Sequence, residues 1–235
     1  MLELRELTKR YEIDGAESIS AVDRVSLTVL PGEFLAMYGP SGSGKTTLLL
    51  LVAAVVPPDH GAVLLDGQRV SGAGPRETAA YRMRELGFVR QSFDLLPGAS
   101  ALDNAALKLL GAGLSARQAR RRVAPLLDHL GMRQRQEQRA ETLSMGERQR
   151  VMIARALSTN PRLVLADEPT GSLDSARGAE VLALLAELCA ERQVAVLLAT
   201  HDPRAATFAD RVHTLRDGRL SECPPAHEAA TLAAS

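Results

Sequence analysis

A short glycine-rich stretch carries residues that can hold phosphate groups. The segment GPSGSGKTT, Gly39 to Thr47, fits the pattern G-x-x-x-x-G-K-[ST]. Its glycines let backbone N–H groups converge on phosphate oxygens at the N-terminus of a helix, where negative charge is favoured. Lys45 adds a positive charge at the β- and γ-phosphates, and the hydroxyl of Thr46 can ligate Mg²⁺. The segment therefore predicts a nucleoside triphosphate site.

Two acidic residues and a histidine follow other apolar runs. Asp167 and Glu168 end the stretch LVLADE, and His201 follows the stretch LLAT. Asp167 can hold Mg²⁺ together with Thr46, whereas Glu168, which points in another direction, can orient or deprotonate an attacking water. His201 can hydrogen-bond a γ-phosphate oxygen. Each residue alone has an ordinary explanation, as a strand cap or a surface histidine, but together with the phosphate loop they predict phosphate hydrolysis.

Buried parallel strands must position these residues. Three short runs are apolar throughout rather than alternating: Phe34 to Tyr38, Leu163 to Ala166 and Val194 to Ala199. Each run ends in a polar or glycine-rich stretch followed by a helical pattern, which is typical of an α/β sheet. Because ligands of such sheets gather at the carboxyl ends of the strands, we expect the candidate residues to meet at one edge.

Two further regions complete the predicted fold. Leu2 to Leu7 and Val25 to Val29 alternate well enough for a smaller antiparallel sheet, and Asp66-Gly67 predicts a hairpin. From about Leu95 to Leu157 the pattern is mostly helical without a clear strand, and Pro125 is expected to kink or break its helix. The predicted class is α/β: a P-loop NTPase core with a parallel sheet, a small antiparallel β subdomain and an inserted helical subdomain.

The chain of 235 residues is long enough for one large domain or two small ones, with a substantial core. We expect a single domain over 1–235. Its core would comprise about 1–92 and 158–220, and its helical insert about 93–157. The alanine-rich end, about 224–235, is expected to be a loose tail.

Composition excludes several classes of protein. Lys and Arg total 28, as do Asp and Glu, and aromatic residues make up 3%, so no nucleic-acid partner is expected. The arginine-rich segments RQARRR and RQRQEQR are best explained as solvated helix faces.

The start of the chain is charged and does not resemble a secretory signal, and Cys189 and Cys223 have neither metal nor disulfide spacing. The longest apolar run, Leu48 to Val56, is too short to span a membrane. We therefore expect a cytosolic protein that reaches a membrane only through a partner.

With these motifs in this order, nearly the whole chain resembles the ATP-binding-cassette ATPases. GPSGSGKTT is similar to the Walker A loop, LVLADE to Walker B, and LSMGE to the signature motif. The resemblance also covers Gln91 as the Q-loop glutamine, GSLD with Asp174 as the D-loop, His201 as the switch histidine, and Tyr11 as the aromatic that stacks on adenine, although Tyr11 could equally pack on the small sheet.

The resemblance implies a set of site residues. The ATP-binding residues would be Tyr11, Gly39, Pro40, Ser41, Gly42, Ser43, Gly44, Lys45, Thr46, Thr47 and Gln91, and the Mg²⁺ ligands Thr46, Gln91 and Asp167. The catalytic residues would be Lys45, Glu168 and His201, and the partner's ATP would be contacted by Ser144, Met145, Gly146 and Glu147.

The resemblance also implies partners. Two copies of the chain would sandwich two ATP molecules, with Asp174 near the dimer interface, and closure would be coupled to a separate membrane permease. The chain would then lie at the cytoplasmic face of the membrane. The phrases LSMGERQRVMIARAL and LADEPTGSLDS are similar to the subfamily that serves macrolide-export, lipoprotein-release and cell-division permeases. Transported substrate and direction remain open at this point.

Three alternatives stand beside this interpretation. A soluble cassette ATPase could act on ribosomes or DNA, but such proteins usually carry two cassettes or long coiled coils. A P-loop kinase would leave the signature-like segment and His201 without a role. A non-hydrolysing subunit is supported only by Met145, which stands where the signature motif usually has glycine.

Local chemistry explains how Met145 can be tolerated. Ser144 and Glu147 have the spacing of a capping box, so a helix is predicted to begin at Met145. The first helical position has a negative φ and does not need glycine. The backbone N–H of Gly146 and the positive end of the helix would still face the partner's γ-phosphate.

Overall fold

Two β-sheets organise the chain in the computed structural model, which describes residues 1–12, 18–92 and 94–222. The expected loose tail at 224–235 lies outside the described residues. In chain order the strands are β1 (Leu2–Tyr11), β2 (Ile19–Val29), β3 (Phe34–Tyr38), β4 (His60–Leu65), β5 (Gln68–Arg69), β6 (Leu86–Val89), β7 (Leu163–Asp167), β8 (Ala195–Thr200), β9 (Arg211–Arg216) and β10 (Arg219–Glu222).

The larger sheet has six strands in the order β10-β9-β3-β8-β7-β6. The three strands predicted from apolar runs are neighbours: β8 lies between β3 and β7, and Val196 pairs with both Phe34 and Val164 in parallel register. Every neighbouring pair in this sheet is parallel except β9 and the edge strand β10, which are antiparallel. The carboxyl ends of β3, β7 and β8 therefore meet at one edge, and the predicted α/β class is confirmed.

Both faces of the larger sheet are buried, which explains the uninterrupted apolar runs. Leu35 and Met37 face a core shared with β1, β2, β4 and the first two helices of the chain, whereas Phe34 and Ala36 face a second core shared with helices that lie farther along the chain. Successive residues of a strand point to opposite faces, so a strand covered on both sides needs apolar residues at every position.

The smaller sheet is antiparallel, in the order β2-β1-β4-β5. Its predicted hairpin is present: Leu65 pairs with Gln68, and both intervening residues are left-handed, Asp66 with φ 48° and Gly67 with φ 77°. Two positive φ values are the geometry of a type I′ turn, which favours Asp-Gly.

Three strands go beyond the expectation from sequence. β6 has only four residues and directly precedes the helical insert, so the apolar pattern of the sequence did not mark it as a separate strand. β9 and β10 form a hairpin through Asp217 and Gly218, which have φ values of 50° and 75°. This Asp-Gly pair carries the same turn signal as Asp66-Gly67, and the strands beside it could have been predicted from it.

Six α-helices surround the sheets in the described part of the chain: α1 (Lys45–Val52), α2 (Pro75–Arg84), α3 (Ala101–Gly111), α4 (Ala116–His129), α5 (Met145–Leu157) and α6 (Ser175–Arg192), with short 3₁₀ turns at Arg133–Arg135, Ala140–Thr142 and Pro203–Thr207. Helices α3, α4 and α5 all lie between β6 and β7 in the chain. Within residues 1–12, 18–92 and 94–222, the helices do not combine the length and apolar character that a membrane span requires.

Pro125 lies inside α4, so the expected break does not occur. The helix continues to His129, and the buried residues Val123, Leu126 and Leu127 surround the exposed proline. Gln136 donates a hydrogen bond from Nε2 to the carbonyl of Ala124 at 3.2 Å. Burial of the apolar face therefore outweighs the loss of one helical hydrogen bond.

Lys108 joins the helical segment to the larger sheet. It lies on α3, and its ammonium donates a hydrogen bond to the carbonyl of Leu86 on β6. Burial lowers the pKa of Lys108 from 10.5 to about 8, because removing the ammonium from water disfavours its charged form.

Replacing Lys108 with Met should raise the free energy of unfolding at pH 7 by about 1–2 kcal/mol, because methionine fills similar space without a charge to bury. The native lysine loses its proton at lower pH than in the unfolded chain, so the unsubstituted protein gains stability as pH rises from about 8 to 10.5. The advantage of the variant should shrink over that range in urea unfolding. A gap that stays constant with pH would contradict this origin.

Candidate functional site

The phosphate loop connects β3 to α1 and lies between strands of both sheets. A Cβ atom at Gly39 would stand 2.2 Å from the carbonyl oxygen of Leu215 on β9. At Gly44, where φ is 102°, it would stand 1.9 Å from the carbonyl oxygen of Ala21 on β2. Contacts this close exclude every side chain, so both glycines are needed for the loop to fit.

A cleft of about 710 Å³ opens beside this loop. It brings together most of the residues predicted to contact ATP, namely Tyr11, Ser41, Gly42, Ser43, Gly44, Lys45, Thr46, Thr47 and Gln91, with Asp167, Glu168 and His201. Gly39 and Pro40 instead contribute their carbonyls, which accept hydrogen bonds from the Lys45 ammonium at 2.6 and 3.1 Å.

Ile19 and Ala21 also line the cleft and were not predicted. Ile19 pairs with Tyr11 across β2 and β1, and both side chains are about half exposed, at 54% and 40%. Alternation along β2 places Ile19 and Ala21 on the same face. Only the pairing of the strands shows that this face is the wall of the cleft, because neither residue belongs to a motif.

Asp167 and Thr46 provide a site suited to Mg²⁺. The hydroxyl of Thr46 donates to Oδ2 of Asp167 at 3.0 Å. Oδ1 of Asp167 is buried without a hydrogen-bond partner in the described part of the chain, and burial raises the pKa of this carboxyl above its usual value. An unpartnered carboxylate oxygen beside a hydroxyl is the kind of oxygen donor set that Mg²⁺ prefers. The residues therefore fit the ion.

At Glu168 the backbone turns away from the direction of the preceding strand. β7 ends at Asp167, and Glu168 adopts a left-handed φ of 48°, which costs about 1 kcal/mol or more for a residue other than glycine. Its backbone N–H donates to the carbonyl of Ala199 at 2.9 Å. This turn sends the two adjacent carboxylates in different directions.

The carboxylate of Glu168 contacts the end of β8. Its Oε2 accepts from the hydroxyl of Thr200 at 3.2 Å and lies 2.9 Å from Nδ1 of His201. Its Oε1 is 4.0 Å from the Lys45 ammonium. The cleft thus holds a carboxylate, an imidazole and an ammonium within reach of one small group, which can stabilise charge on a phosphate and accept a proton from water.

The LSMGE segment lies elsewhere. The hydroxyl of Ser144 accepts from the N–H of Glu147 at 3.3 Å, and Glu147 accepts from the N–H of Ser144 at 2.8 Å, so the predicted capping box is present. The hydrogen bond from the Ser144 N–H is the main cause of the lowered pKa of Glu147. Met145 begins α5 and is 45% exposed. A second depression contains Ser144, Gly146 and Glu147, together with Arg150 and Arg177.

The GSLD segment begins at Gly171, which lies beside Gln91, and ends at Asp174. A Cβ atom at Gly171 would stand 2.8 Å from Nε2 of Gln91, so the absence of a side chain there gives the glutamine room. Asp174 caps α6, with Oδ1 accepting from the N–H of Arg177 at 3.0 Å. The segment therefore begins beside the cleft and ends at a helix N-terminus outside it.

Comparison with known proteins agrees with this geometry. The family model described as ABC transporter matches residues 22–171. The LolD 2 protein of Chlorobaculum tepidum, named a lipoprotein-releasing system ATP-binding protein, is 42% identical over 95% of this chain and 92% of its own length. The chain belongs to the ABC transporter family.

Other members of the family extend the comparison. The macrolide export ATP-binding/permease protein MacB of Syntrophobacter fumaroxidans is 42% identical over 93% of this chain, which matches only 31% of that relative. The dimeric structure of MJ0796, described as a bacterial ABC transporter cassette, has a TM-score of 0.84 at 36% identity and covers 94% of this chain and 98% of that chain. MJ0796 is also known in a post-hydrolysis dimer bound to ADP and Pi, with the same TM-score. The chain is accordingly an ABC ATPase that binds and hydrolyses ATP.

Substitutions at the start of α5 should separate the cap from the unusual methionine. Ser144→Ala removes the hydroxyl that accepts a hydrogen bond from the N–H of Glu147, so the free energy of unfolding should fall by about 1 kcal/mol. Met145→Gly replaces a better helix former at an exposed helical position and should cost only about 0.5 kcal/mol. Urea unfolding of both variants measures the difference. A larger loss in Met145→Gly than in Ser144→Ala would contradict the capping assignment.

Proposed function

We propose that this ABC ATPase works as a homodimer that drives a separate integral membrane permease. One observation carries the proposal: Lys45, Asp167, Glu168 and His201 share the cleft, whereas the Ser144 end of α5 opens into a different depression. A second copy would bring its Ser144 helix over the cleft and complete the site. The dimeric form of MJ0796 supports this arrangement.

The roles of the cleft residues follow from their contacts. Lys45 is held by the carbonyls of Gly39 and Pro40, and the same ammonium can turn toward β- and γ-phosphate oxygens. Tyr11, on the wall of the cleft, offers a ring on which a purine can stack. Met145 and Gly146 at the start of α5 would meet the partner's nucleotide, and Asp174 would lie close to the interface.

Hydrolysis needs a proton acceptor and a group that holds the γ-phosphate. Glu168 lines the cleft, and its carboxylate would accept a proton from the attacking water. His201, 2.9 Å from Glu168, would hydrogen-bond a γ-phosphate oxygen and hold the carboxylate in place. Thr46, Asp167 and Gln91 would hold Mg²⁺, whose charge stabilises the phosphate oxygens when it is bound.

The partner and location are inferred from relatives. The MacB relative is named as both ATP-binding protein and permease, and this chain corresponds to about a third of it. We therefore propose a permease on another chain and a position at the cytoplasmic face of the membrane. One cassette over 1–235, with its helical insert at about 93–157, would make up this subunit.

Glu168→Gln should suppress phosphate release by at least about 100-fold while leaving ATP affinity within about twofold, because the amide keeps the shape but cannot accept the proton. It should also trap an ATP-bound dimer, which size-exclusion chromatography detects. Glu187→Gln, an exposed substitution on α6, is the matched control and should behave as the unsubstituted chain. Hydrolysis by Glu168→Gln at the unsubstituted rate would remove Glu168 as the base.

Recovery of the tagged chain from membranes tests the partner. We expect an integral membrane protein to co-purify, and its addition to change the ATPase rate. ATPase activity that RNA or DNA stimulates, without any membrane protein, would instead support a soluble cassette acting on ribosomes or DNA.

A further inference from the structure

Arg204, outside the cleft, makes contacts that connect two loops of the site. We propose that it is a positioning residue, which holds the start of α6 and the Asp174 loop in register with Glu168 and His201. The inference rests on the proposed role of these residues in hydrolysis. It is carried by the hydrogen bonds of Asp202, Arg204 and Ser175.

Asp202 is a buried carboxylate that depends on Arg204. It follows His201 directly and is 9% exposed. Nε of Arg204 donates to its Oδ1 at 2.8 Å, and Nη2 donates to its Oδ2 at 2.6 Å. These bonds are the main cause of the lowered pKa of Asp202. A two-pronged pair of this kind fixes orientation as well as charge.

The third nitrogen of the guanidinium reaches another element. Nη1 of Arg204 donates to the carbonyl of Ser175, the first residue of α6 and the neighbour of Asp174. The guanidinium packs against α6 at Gly178, where an added Cβ would stand 3.1 Å from Nη2. The absence of a side chain at Gly178 therefore leaves room for the guanidinium.

The same network reaches the proposed base. The N–H of Asp202 donates to the hydroxyl of Thr200 at 3.0 Å, and that hydroxyl donates to Glu168 at 3.2 Å. The hydroxyl of Thr170, four residues before Asp174, donates to Asp202 at 3.4 Å. A continuous chain of hydrogen bonds therefore runs from Glu168 through Thr200 and Asp202 to Arg204.

Two roles of Arg204 make different predictions. If it served only to neutralise Asp202, any cation in that place would suffice. If it positions α6, the bond to Ser175 is needed as well. Arg204 bonds Asp202 through Nε and Nη2 and Ser175 through Nη1, and the compact ammonium of a lysine cannot reproduce this spread of donors. Loss of that bond would let the Asp174 loop and the His201 loop move separately.

Steady-state hydrolysis of ATP with Mg²⁺ by the full chain tests the proposal. In Arg204→Lys we expect kcat to fall about tenfold, with KM unchanged within about twofold and the melting temperature within about 2 °C of the unsubstituted chain. Arg204→Gln should lose kcat similarly and melt at lower temperature, because Asp202 is left buried and unpaired. Arg192→Lys, at the exposed end of α6, is the control and should change neither value.

Gly178→Ala gives a second test that does not depend on removing a charge. Alanine favours the helix, but its Cβ would stand 3.1 Å from Nη2, so the guanidinium must shift by a few tenths of an ångström. We therefore expect kcat to fall while the melting temperature stays or rises. Unsubstituted kcat in both Arg204→Lys and Gly178→Ala would overturn the proposal, as would a change confined to KM. Phosphate release by Glu168→Gln separately tests the proposed role of Glu168, since the role of Arg204 is measured only by the ratio of each Arg204 or Gly178 variant to the unsubstituted chain.

Discussion

The fit of the phosphate loop between two strands constrains the rest of the site. Gly39 meets the backbone of β9 and Gly44 meets that of β2, at distances that leave no space for any side chain. The loop therefore joins the two sheets at the edge where β3, β7 and β8 end. A loop held this tightly has backbone N–H groups that are already oriented, so little conformational entropy is lost when a phosphate binds.

Charge in the cleft is balanced by residues from separate strands. Lys45 follows β3, Asp167 ends β7, and His201 follows β8. Buried charges are costly unless they are paired, which is why Asp167 has a raised pKa and why Lys45 is held by backbone carbonyls. A bound nucleotide would bring negative charge to Lys45, and its metal ion would bring positive charge to Asp167.

The unusual signature segment is consistent with an active enzyme. Met145 occupies a helical position and is about half exposed, and the Ser144–Glu147 cap is intact. Gly146 is buried next to it, and a Cβ atom added there would stand at an ordinary contact distance of 3.7 Å from Cδ of Arg177. The methionine therefore changes the surface that a second copy would meet, rather than the fold of the helix itself.

The sequence alone determined the phosphate loop, the three buried strands, the Asp66-Gly67 hairpin and the cap at Ser144, because each depends on local pattern or spacing. It also predicted that the residues after β3, β7 and β8 would meet, since parallel strands share a carboxyl edge. Only the tertiary structure decided the strand order, the role of Ile19 and Ala21 as cleft walls, and the continuation of α4 through Pro125. It alone revealed the left-handed turn at Glu168 and the bonds of Arg204 to Asp202 and Ser175. Apart from the pairing of Arg204 with Asp202, which are two residues apart, these features depend on contacts between residues distant in the chain, for which local pattern carries no signal.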